Sequence, residues 1–184
     1  MEYGASCMGY EIAGALGSKL AAPDKEVYAL VGDGSFMMLN SEIPTAIQEN
    51  AKITVVVFDN AAFGCINNLQ MGNGVGSLAT EMRHRNEQTG KLDGTYCYTD
   101  FGKVGEGYGM KAFYAKTPEE FRKAVQDAKK ETCSCIIDAK VLPKTMAEGY
   151  ESWWHIGVAS TSRSEEVKEA RKRIDDHLAE ARMY

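Results

Sequence analysis

The sequence has no apolar run near the roughly 20 residues that a membrane-spanning helix requires. It has no excess of positive charge: its formal net charge is -5, so nothing in its electrostatics favours nucleic acid or an anionic membrane as a partner. Its start lacks the basic and apolar regions of a secretion signal. It has only 3 histidines, and no two of them have the spacing of zinc ligands. What remains is typical of an ordinary globular protein, with 44% hydrophobic and 26% charged residues.

Cysteine is present, but not in a pattern that favours a disulfide scaffold. The count of 5 is odd, and the spacings do not match a disulfide framework. Cys133 and Cys135 are two positions apart in an apolar run, so a strand would turn both thiols to one face, as packed groups rather than metal ligands. We therefore expect reduced thiols and a cytoplasmic location.

Short apolar segments alternate with segments of helical pattern along the chain. Strands are predicted at 27–31, 53–58, 111–115 and 133–141, and helices at 6–22, 35–50, after 117 and at 163–183. This alternation predicts an α/β fold, a doubly wound, mainly parallel sheet flanked by helices. We expect a single domain over 1–184, with a charged C-terminal helix within 160–184. The segment 71–100 is predicted to be a long loop that could cover a substrate.

Two of the predicted strands end in turns that are rich in oxygen ligands. These turns are Gly32-Asp33-Gly34-Ser35 and Asp59-Asn60-Ala61-Ala62. Because parallel strands have their carboxyl ends at one edge, Asp33 and Asn60, 27 positions apart, can converge on one point. The Asp33 carboxylate, the Asn60 amide oxygen and the Ala62 backbone carbonyl are candidate ligands of Mg²⁺. Gly32 and Gly34 would let the backbone approach a diphosphate, and Ser35 opens a helix whose N–H groups suit a phosphate.

The spacing of the two turns resembles the thiamine diphosphate (ThDP) signature of the decarboxylase and acetolactate synthase superfamily. That signature usually ends in Asn-Asn, and Asp59 stands here in place of the first Asn, whereas the metal ligand matches the second, Asn60. Residues 4–10 resemble the family stretch that ends in Met-Gly before a small-residue helix. The resemblance implies that Met8 bends the cofactor into its V shape, and that the Ser6 carbonyl accepts a hydrogen bond from its 4′-amino group.

Longer strings at 63–74, 141–146 and 149–154 are similar to the C-terminal region of the trihydroxycyclohexane-1,2-dione hydrolase family. This resemblance implies a ThDP- and Mg²⁺-dependent C–C bond hydrolase that opens 3D-(3,5/4)-trihydroxycyclohexane-1,2-dione to 5-deoxyglucuronate in inositol catabolism. It further implies that the chain is a C-terminal fragment of a homo-oligomeric enzyme. The catalytic glutamate would then lie in the pyrimidine-binding domain of a partner subunit. The chain alone is therefore expected to be inactive and to bind ThDP weakly.

Other assignments stay open at this point. Asn67, Asn68 and Gln70 suit either the hydroxyls of a substrate ring or a structural position, at the end of a helix or facing solvent. The basic cluster 83–85 fits a solvated face better than an anion site, and a general acid or base role for His155 is a minor hypothesis. The alternatives to the hydrolase are an acetolactate synthase-like or decarboxylase domain, or a non-catalytic dimerisation module that kept the fold. A nicotinamide site at 72–76 is disfavoured, because a dinucleotide fingerprint lies directly between a strand and a helix.

Overall fold

Four parallel strands form the sheet at the centre of the domain. The computed structural model describes residues 7–145 and 158–180. The strands are β1 (Tyr28–Gly32), β2 (Thr54–Asp59), β3 (Lys111–Ala115) and β4 (Cys135–Lys140), in the spatial order β1-β2-β4-β3. All three pairings are parallel. The predicted mainly parallel sheet is therefore confirmed.

Seven helices accompany the sheet in the described part of the chain. They are α1 (Tyr10–Ala21), α2 (Asp33–Met38), α3 (Glu42–Gln48), α4 (Gly64–Gly72), α5 (Phe101–Tyr108), α6 (Pro118–Lys130) and α7 (Glu165–Glu180). None of them is long and apolar enough to cross a membrane. Thr117 caps the start of α6, since its Oγ1 accepts a hydrogen bond from Glu120 N at 3.2 Å.

The sheet buries apolar residues on both faces, as a doubly wound fold requires. On one face, α1, α3 and α5 cover Val31, Val55 and Ile136. On the other face, α6 packs on Val56 and Ile137. Strand β2 is almost wholly buried, which agrees with its β-branched sequence. Each face of the sheet is therefore covered by an apolar core, and a binding site is expected at the edge where the strands end at their carboxyl termini.

Strand register decides which side chains meet at that edge. Gly32 of β1 lies opposite Phe58 of β2, and Asp59 of β2 lies opposite Lys140 of β4. The segments that follow β1 and β2 therefore emerge side by side. This is the arrangement on which a shared site at the two turns depends.

Some predicted features need correction. Helix α1 begins at Tyr10 rather than at residue 6, after Gly9 with a left-handed φ of 91°. Helix α5 was not predicted, because three glycines within eight residues lower its intrinsic helix propensity. Cys133 and Cys135 do not share a face: Cys135 is buried in β4, whereas Cys133 precedes the strand and is exposed.

The charged helix α7 has an apolar stripe that is partly buried. Val167, Ala170 and Ile174 pack with Val158, whereas Leu178 is exposed. Gly74 lies directly against the first turn of α7, since a Cβ there would come 2.5 Å from the backbone of Glu166. The helix thus packs beside the end of α4.

Candidate cofactor and metal site

Asp33 joins the two turns at the carboxyl edge of the sheet. It is the first residue of α2, directly after β1, and its side chain is fully buried. Its Oδ1 accepts a hydrogen bond from Gly34 N at 2.7 Å, and its Oδ2 accepts one from Ala62 N at 3.1 Å. Burial of the carboxyl and its contact with the carboxyl of Asp59 raise the pKa of Asp33 to about 7. The structure thus brings the predicted Asp33 and Ala62 together.

Asn60 lies in the second of these turns and has an unused acceptor. Among the residues that the structure describes, its Oδ1 is buried and has no hydrogen-bond partner. A buried acceptor left in this state costs about 1–3 kcal/mol. Gly64 makes room for this side chain, since a Cβ there would lie 2.4 Å from Asn60 Nδ2. The Asn60 amide therefore packs closely against Gly64, and its buried oxygen is an acceptor without a described partner.

The two glycines that flank Asp33 have different roles. A Cβ at Gly34 would lie 2.6 Å from the ring of Phe63, so packing between the two turns requires glycine at this position. At Gly32, by contrast, a Cβ would meet no described atom within 4 Å. Space beside the backbone, which was predicted at both glycines, is therefore found at Gly32, whereas Gly34 is explained by Phe63.

The Ser35 hydroxyl ties α2 to the start of α1. It donates a hydrogen bond to Glu11 Oε1 at 2.8 Å and accepts one from Gly9 N at 2.7 Å. Glu11 was not singled out in the sequence, although its place two residues after Gly9 fits this contact. Met8 precedes Gly9 and is 41% exposed, and Ser6 lies outside the described residues.

Asp59, which departs from the usual signature, is neutralised within the protein. It is buried, and its Oδ1 accepts a hydrogen bond from Ala61 N at 3.0 Å. Its Oδ2 pairs with Lys140 Nζ, which also contacts Asp138 Oδ2 at 3.0 Å. Burial alone would lower the pKa of Lys140, but the two carboxylates raise it above its usual value. Sequence reasoning missed Lys140, which ends the apolar run of β4.

The segment that was predicted as a long loop is tied to the second turn. Phe63 N donates to Thr80 O at 2.8 Å, and Met82 N donates to Ala61 O at 2.7 Å. Ala62 and Glu81 form an antiparallel bridge between these bonds. Residues 80–82 therefore run along the turn that carries Asn60. That this segment covers a substrate stays a prediction.

Two of the three polar residues of α4 that were considered for a substrate are engaged in this contact. Asn67 is buried and donates to Ser77 Oγ at 2.7 Å and to Thr80 Oγ1 at 2.9 Å. Gln70 bonds both backbone groups of Leu78, at 3.0 and 3.1 Å. Their amides hold the segment against α4, which is a structural role other than the helix capping or solvent exposure that the sequence suggested. Asn68 is half-buried, and its role stays a prediction.

Arg83, from the basic cluster, is used within the same segment. Its guanidinium lies 3.0 Å from Glu81 Oε1 and 3.9 Å from the centroid of the Tyr96 ring. It also donates to the carbonyl of Gly94 at 2.8 Å. These contacts pair residues 81–83 with residues 94–97, and we call residues 81–97 the hairpin. Arg83 is therefore a structural cation and not part of a solvated face, whereas His84 and Arg85 are exposed.

The hairpin is expected to loosen in acid because of Glu81. Burial alone would raise its pKa, but hydrogen bonds from Arg83 and Tyr96 lower the pKa of Glu81 to about 2. A carboxyl whose pKa is lower in the folded state stabilises that state above its unfolded pKa, and this contribution is lost as pH falls through the folded value. We expect the protection factors of the His84 and Cys97 amides, taken relative to the intrinsic exchange rate at each pH, to fall as the pH is lowered from 4.5 to 2. At pH 7, these two amides should be less protected in Glu81→Gln than in the parent protein. Their protection should also change less in the variant when the pH is lowered. Identical pH profiles for the two proteins would contradict this account.

Other kinds of site find no support in the structure. Within residues 7–145 and 158–180, no group of three or more His, Cys, Asp or Glu side chains could hold a metal ion. A metal at the two turns would therefore need amide and carbonyl oxygens besides Asp33. The glycine-rich stretch 72–76 follows the end of α4 rather than a strand, which removes the dinucleotide alternative. His155 lies outside the described residues.

The fold and these two turns define a class of protein: an α/β domain whose parallel sheet carries two joined polar turns at its carboxyl edge, the place where such folds bind ligands. The family described as "Thiamine pyrophosphate enzyme, C-terminal TPP binding domain" matches residues 1–139. The chain therefore belongs to this family of ThDP-binding domains, ThDP being another name for thiamine pyrophosphate. The resemblance seen in the sequence is thus confirmed.

Curated relatives agree with this assignment. The chain is 59% identical, over its whole length, to a 3D-(3,5/4)-trihydroxycyclohexane-1,2-dione hydrolase of Bacillus thuringiensis strain Al Hakam. It is 58% identical, over the same span, to the protein of that name in Bacillus anthracis. The chain spans 29% of the length of each of these relatives.

A solved structure shows the same fold at lower identity. A Rhodococcus jostii RHA1 thiamine diphosphate-dependent 4-hydroxybenzoylformate decarboxylase matches with a TM-score of 0.58 and 23% identity. The match covers 75% of this chain and 24% of the decarboxylase chain. At this identity the likeness supports the fold and not the substrate.

Proposed function

We propose that the joined turns hold Mg²⁺ together with the diphosphate of ThDP. The ligands would be the Asp33 carboxylate, the Asn60 amide oxygen and the Ala62 carbonyl, which are the hard oxygen donors that Mg²⁺ prefers. The observation that carries this proposal is the buried Asn60 Oδ1, which has no partner among the described residues. It belongs to the same turn as Ala62, whose N–H binds Asp33.

The balance of charge supports a divalent cation. Asp33, Asp59 and Asp138 are buried carboxyls, with exposed fractions of 0%, 1% and 1%. Lys140 is the cation that contacts Asp59 and Asp138. With all four groups ionised, this cluster carries a formal charge of -2, which one divalent ion would neutralise. Buried charges without such compensation are costly.

The remaining predicted residues would serve the cofactor through the backbone or by shape. Gly32 has open space beside it, where a diphosphate could approach. Gly34 and Ser35 lie in the first turn of α2, where the Gly34 N–H is bound to Asp33 Oδ1, so the Ser35 N–H is the donor proposed for a phosphate. Met8 would support the bent cofactor, and Ser6 would accept a hydrogen bond from its amino group. ThDP, when bound, supplies the nucleophilic carbon and the electron-accepting ring.

We further propose that the chain serves as the ThDP-gripping part of a longer enzyme that opens 3D-(3,5/4)-trihydroxycyclohexane-1,2-dione by hydrolysis. The 59% identity to hydrolases of that name supports this substrate. Because the chain spans 29% of such a relative, the catalytic glutamate is proposed to lie in a pyrimidine-binding domain outside these residues. The domain alone would then be inactive.

An exposed apolar surface supports association with that pyrimidine-binding domain in a partner subunit. Met8, Tyr10, Met37, Met38 and Leu39 are exposed by 41–56%. Gly9 brings the two stretches together, since a Cβ there would lie 3.1 Å from Leu39 Cβ. Exposed apolar patches of this kind mark association surfaces. The surface adjoins α1 and α2 at the site, so a partner bound here would face the cofactor.

A chimera provides the test of this function. In the chimera, the present chain replaces the matching 29% of the Bacillus thuringiensis relative. We expect the chimera to bind ThDP in the presence of Mg²⁺ and to hydrolyse the cyclic dione. The isolated chain should bind ThDP weakly and should not hydrolyse the dione. A folded chimera that binds ThDP but acts on a keto acid instead would favour the decarboxylase or synthase alternative. One that binds no ThDP would favour a non-catalytic dimerisation module.

A further inference from the structure

Lys140 occupies a central position beside the two turns. It is the last residue of β4, directly opposite Asp59 in the register of the sheet. Its ammonium contacts Asp59 and Asp138, and donates to the carbonyl of Thr99 at 3.0 Å. Its side chain is 27% exposed, whereas the two carboxylates are 1% exposed. One cation therefore connects the end of β2, strand β4 and the start of α5.

Asp59 connects Lys140 to the proposed metal turn, residues 59–62. Its Oδ1 accepts the N–H of Ala61, and the next N–H, from Ala62, donates to Asp33 Oδ2 at 3.1 Å. Lys140 holds the other oxygen, Oδ2, and so fixes the orientation of the carboxylate. Without Lys140, the Asp59 carboxylate would be buried beside the carboxyl of Asp33 with no described cation in contact. Such a carboxylate is expected to reorient or to draw in water.

We infer that Lys140 is a positioning residue, which acts through Asp59 to fix the 59–62 turn against Asp33. This inference rests on the proposed function only in so far as the turn is the proposed metal turn. The pairing itself is a property of the protein without metal. Lys140 is not proposed to touch the substrate, the cofactor or the metal.

The test uses amide hydrogen exchange of the 184-residue chain without metal or cofactor, in a cycle of Lys140→Met and Asp59→Asn. The amide that Asp59→Asn introduces is neutral and can still accept the Ala61 N–H, so it should not need the ammonium. We expect Lys140→Met to reduce the protection of Ala61 and Ala62 about tenfold when Asp59 is present, and less than about threefold in the Asp59→Asn background. Lys140→Arg should keep protection within about threefold of the parent, since it retains the charge.

The Phe101 amide provides an internal reference. It donates to Asp138 Oδ2 at 3.1 Å, so it reports the contact of Lys140 with Asp138. Its protection should therefore fall in Lys140→Met whether residue 59 is Asp or Asn. The inference would be overturned if Lys140→Met reduced the protection of Ala61 and Ala62 equally in both backgrounds. It would also be overturned if Lys140→Met reduced no protection there when Asp59 is present. If Lys140→Met alone does not fold, a folded double variant with protected Ala61 and Ala62 supports it, and an unfolded double variant overturns it. Because no metal is present, these outcomes are independent of whether the chimera binds ThDP.

Discussion

Asp33→Asn is expected to reduce the affinity of the chimera for Mg²⁺ in the presence of ThDP by about 100-fold or more. Asp33 is the only carboxylate in the proposed ligand set, and asparagine keeps its shape but removes its charge. Mg²⁺ selects charged, hard oxygen ligands, so the amide is a poor substitute. Calorimetric titration of Mg²⁺ into the chimera with saturating ThDP measures the affinity.

The same change should cost little stability in the absence of metal. The amide that Asp33→Asn introduces can donate to the neighbouring Asp59 carboxylate and accept from Gly34 or Ala62, so the loss should stay near about 1 kcal/mol. Asp24→Asn is the matched control, because Asp24 is exposed in the turn before β1, at the opposite end of that strand. Unchanged Mg²⁺ affinity in Asp33→Asn, or an equal loss in Asp24→Asn, would contradict the proposed role.

Gly64→Ala is expected to lower the Mg²⁺ affinity of the chimera about tenfold or more, although it adds only one methyl group. The new Cβ would lie 2.4 Å from Asn60 Nδ2, so the amide must move. The movement takes the buried Oδ1 away from its present position. Alanine is also the better helix former by up to about 1 kcal/mol, which offsets part of the steric cost. We therefore expect a large loss of Mg²⁺ affinity with only a small change in the unfolding temperature.

Gly72→Ala gives a control on the same helix. Gly72 is the last residue of α4, and a Cβ there would meet no described atom within 4 Å. We expect its Mg²⁺ affinity to equal that of the unchanged chimera. If Gly64→Ala also bound Mg²⁺ normally while it folded normally, the Asn60 amide would not be a ligand.

The carboxyl edge of the sheet could be predicted because its signals are local. The β-branched segment that precedes Asp59 can form little other than a buried strand, and Gly32 and Asp33 end the strand before it. Two parallel strands with turns at matching ends place these turns together, whatever the rest of the chain does. The fold class and the position of both turns at one edge followed from that reasoning, whereas the convergence of Asp33 and Asn60 on one metal ion stays a prediction.

The residues that support the turns could not be predicted, because their contacts are set by register and packing. Lys140 meets Asp59 only through the pairing of β2 with β4, and strand order cannot be read from either segment alone. Phe63 explains Gly34 only once the two turns touch. The sequence of the hairpin has no clear hydrophobic periodicity, so its pairing through Glu81 could not be predicted. Asn67 resembled a substrate ligand until its buried partners were known.

The most direct test of the metal site is anomalous diffraction from crystals of the chimera grown with Mn²⁺, as a substitute for Mg²⁺, and ThDP. We predict one peak in this domain, within about 2.5 Å of Asp33 Oδ1 or Oδ2, Asn60 Oδ1 and the Ala62 carbonyl oxygen. A peak at any other group of ligands, with ThDP bound and these three oxygens free of metal, would contradict the proposed site.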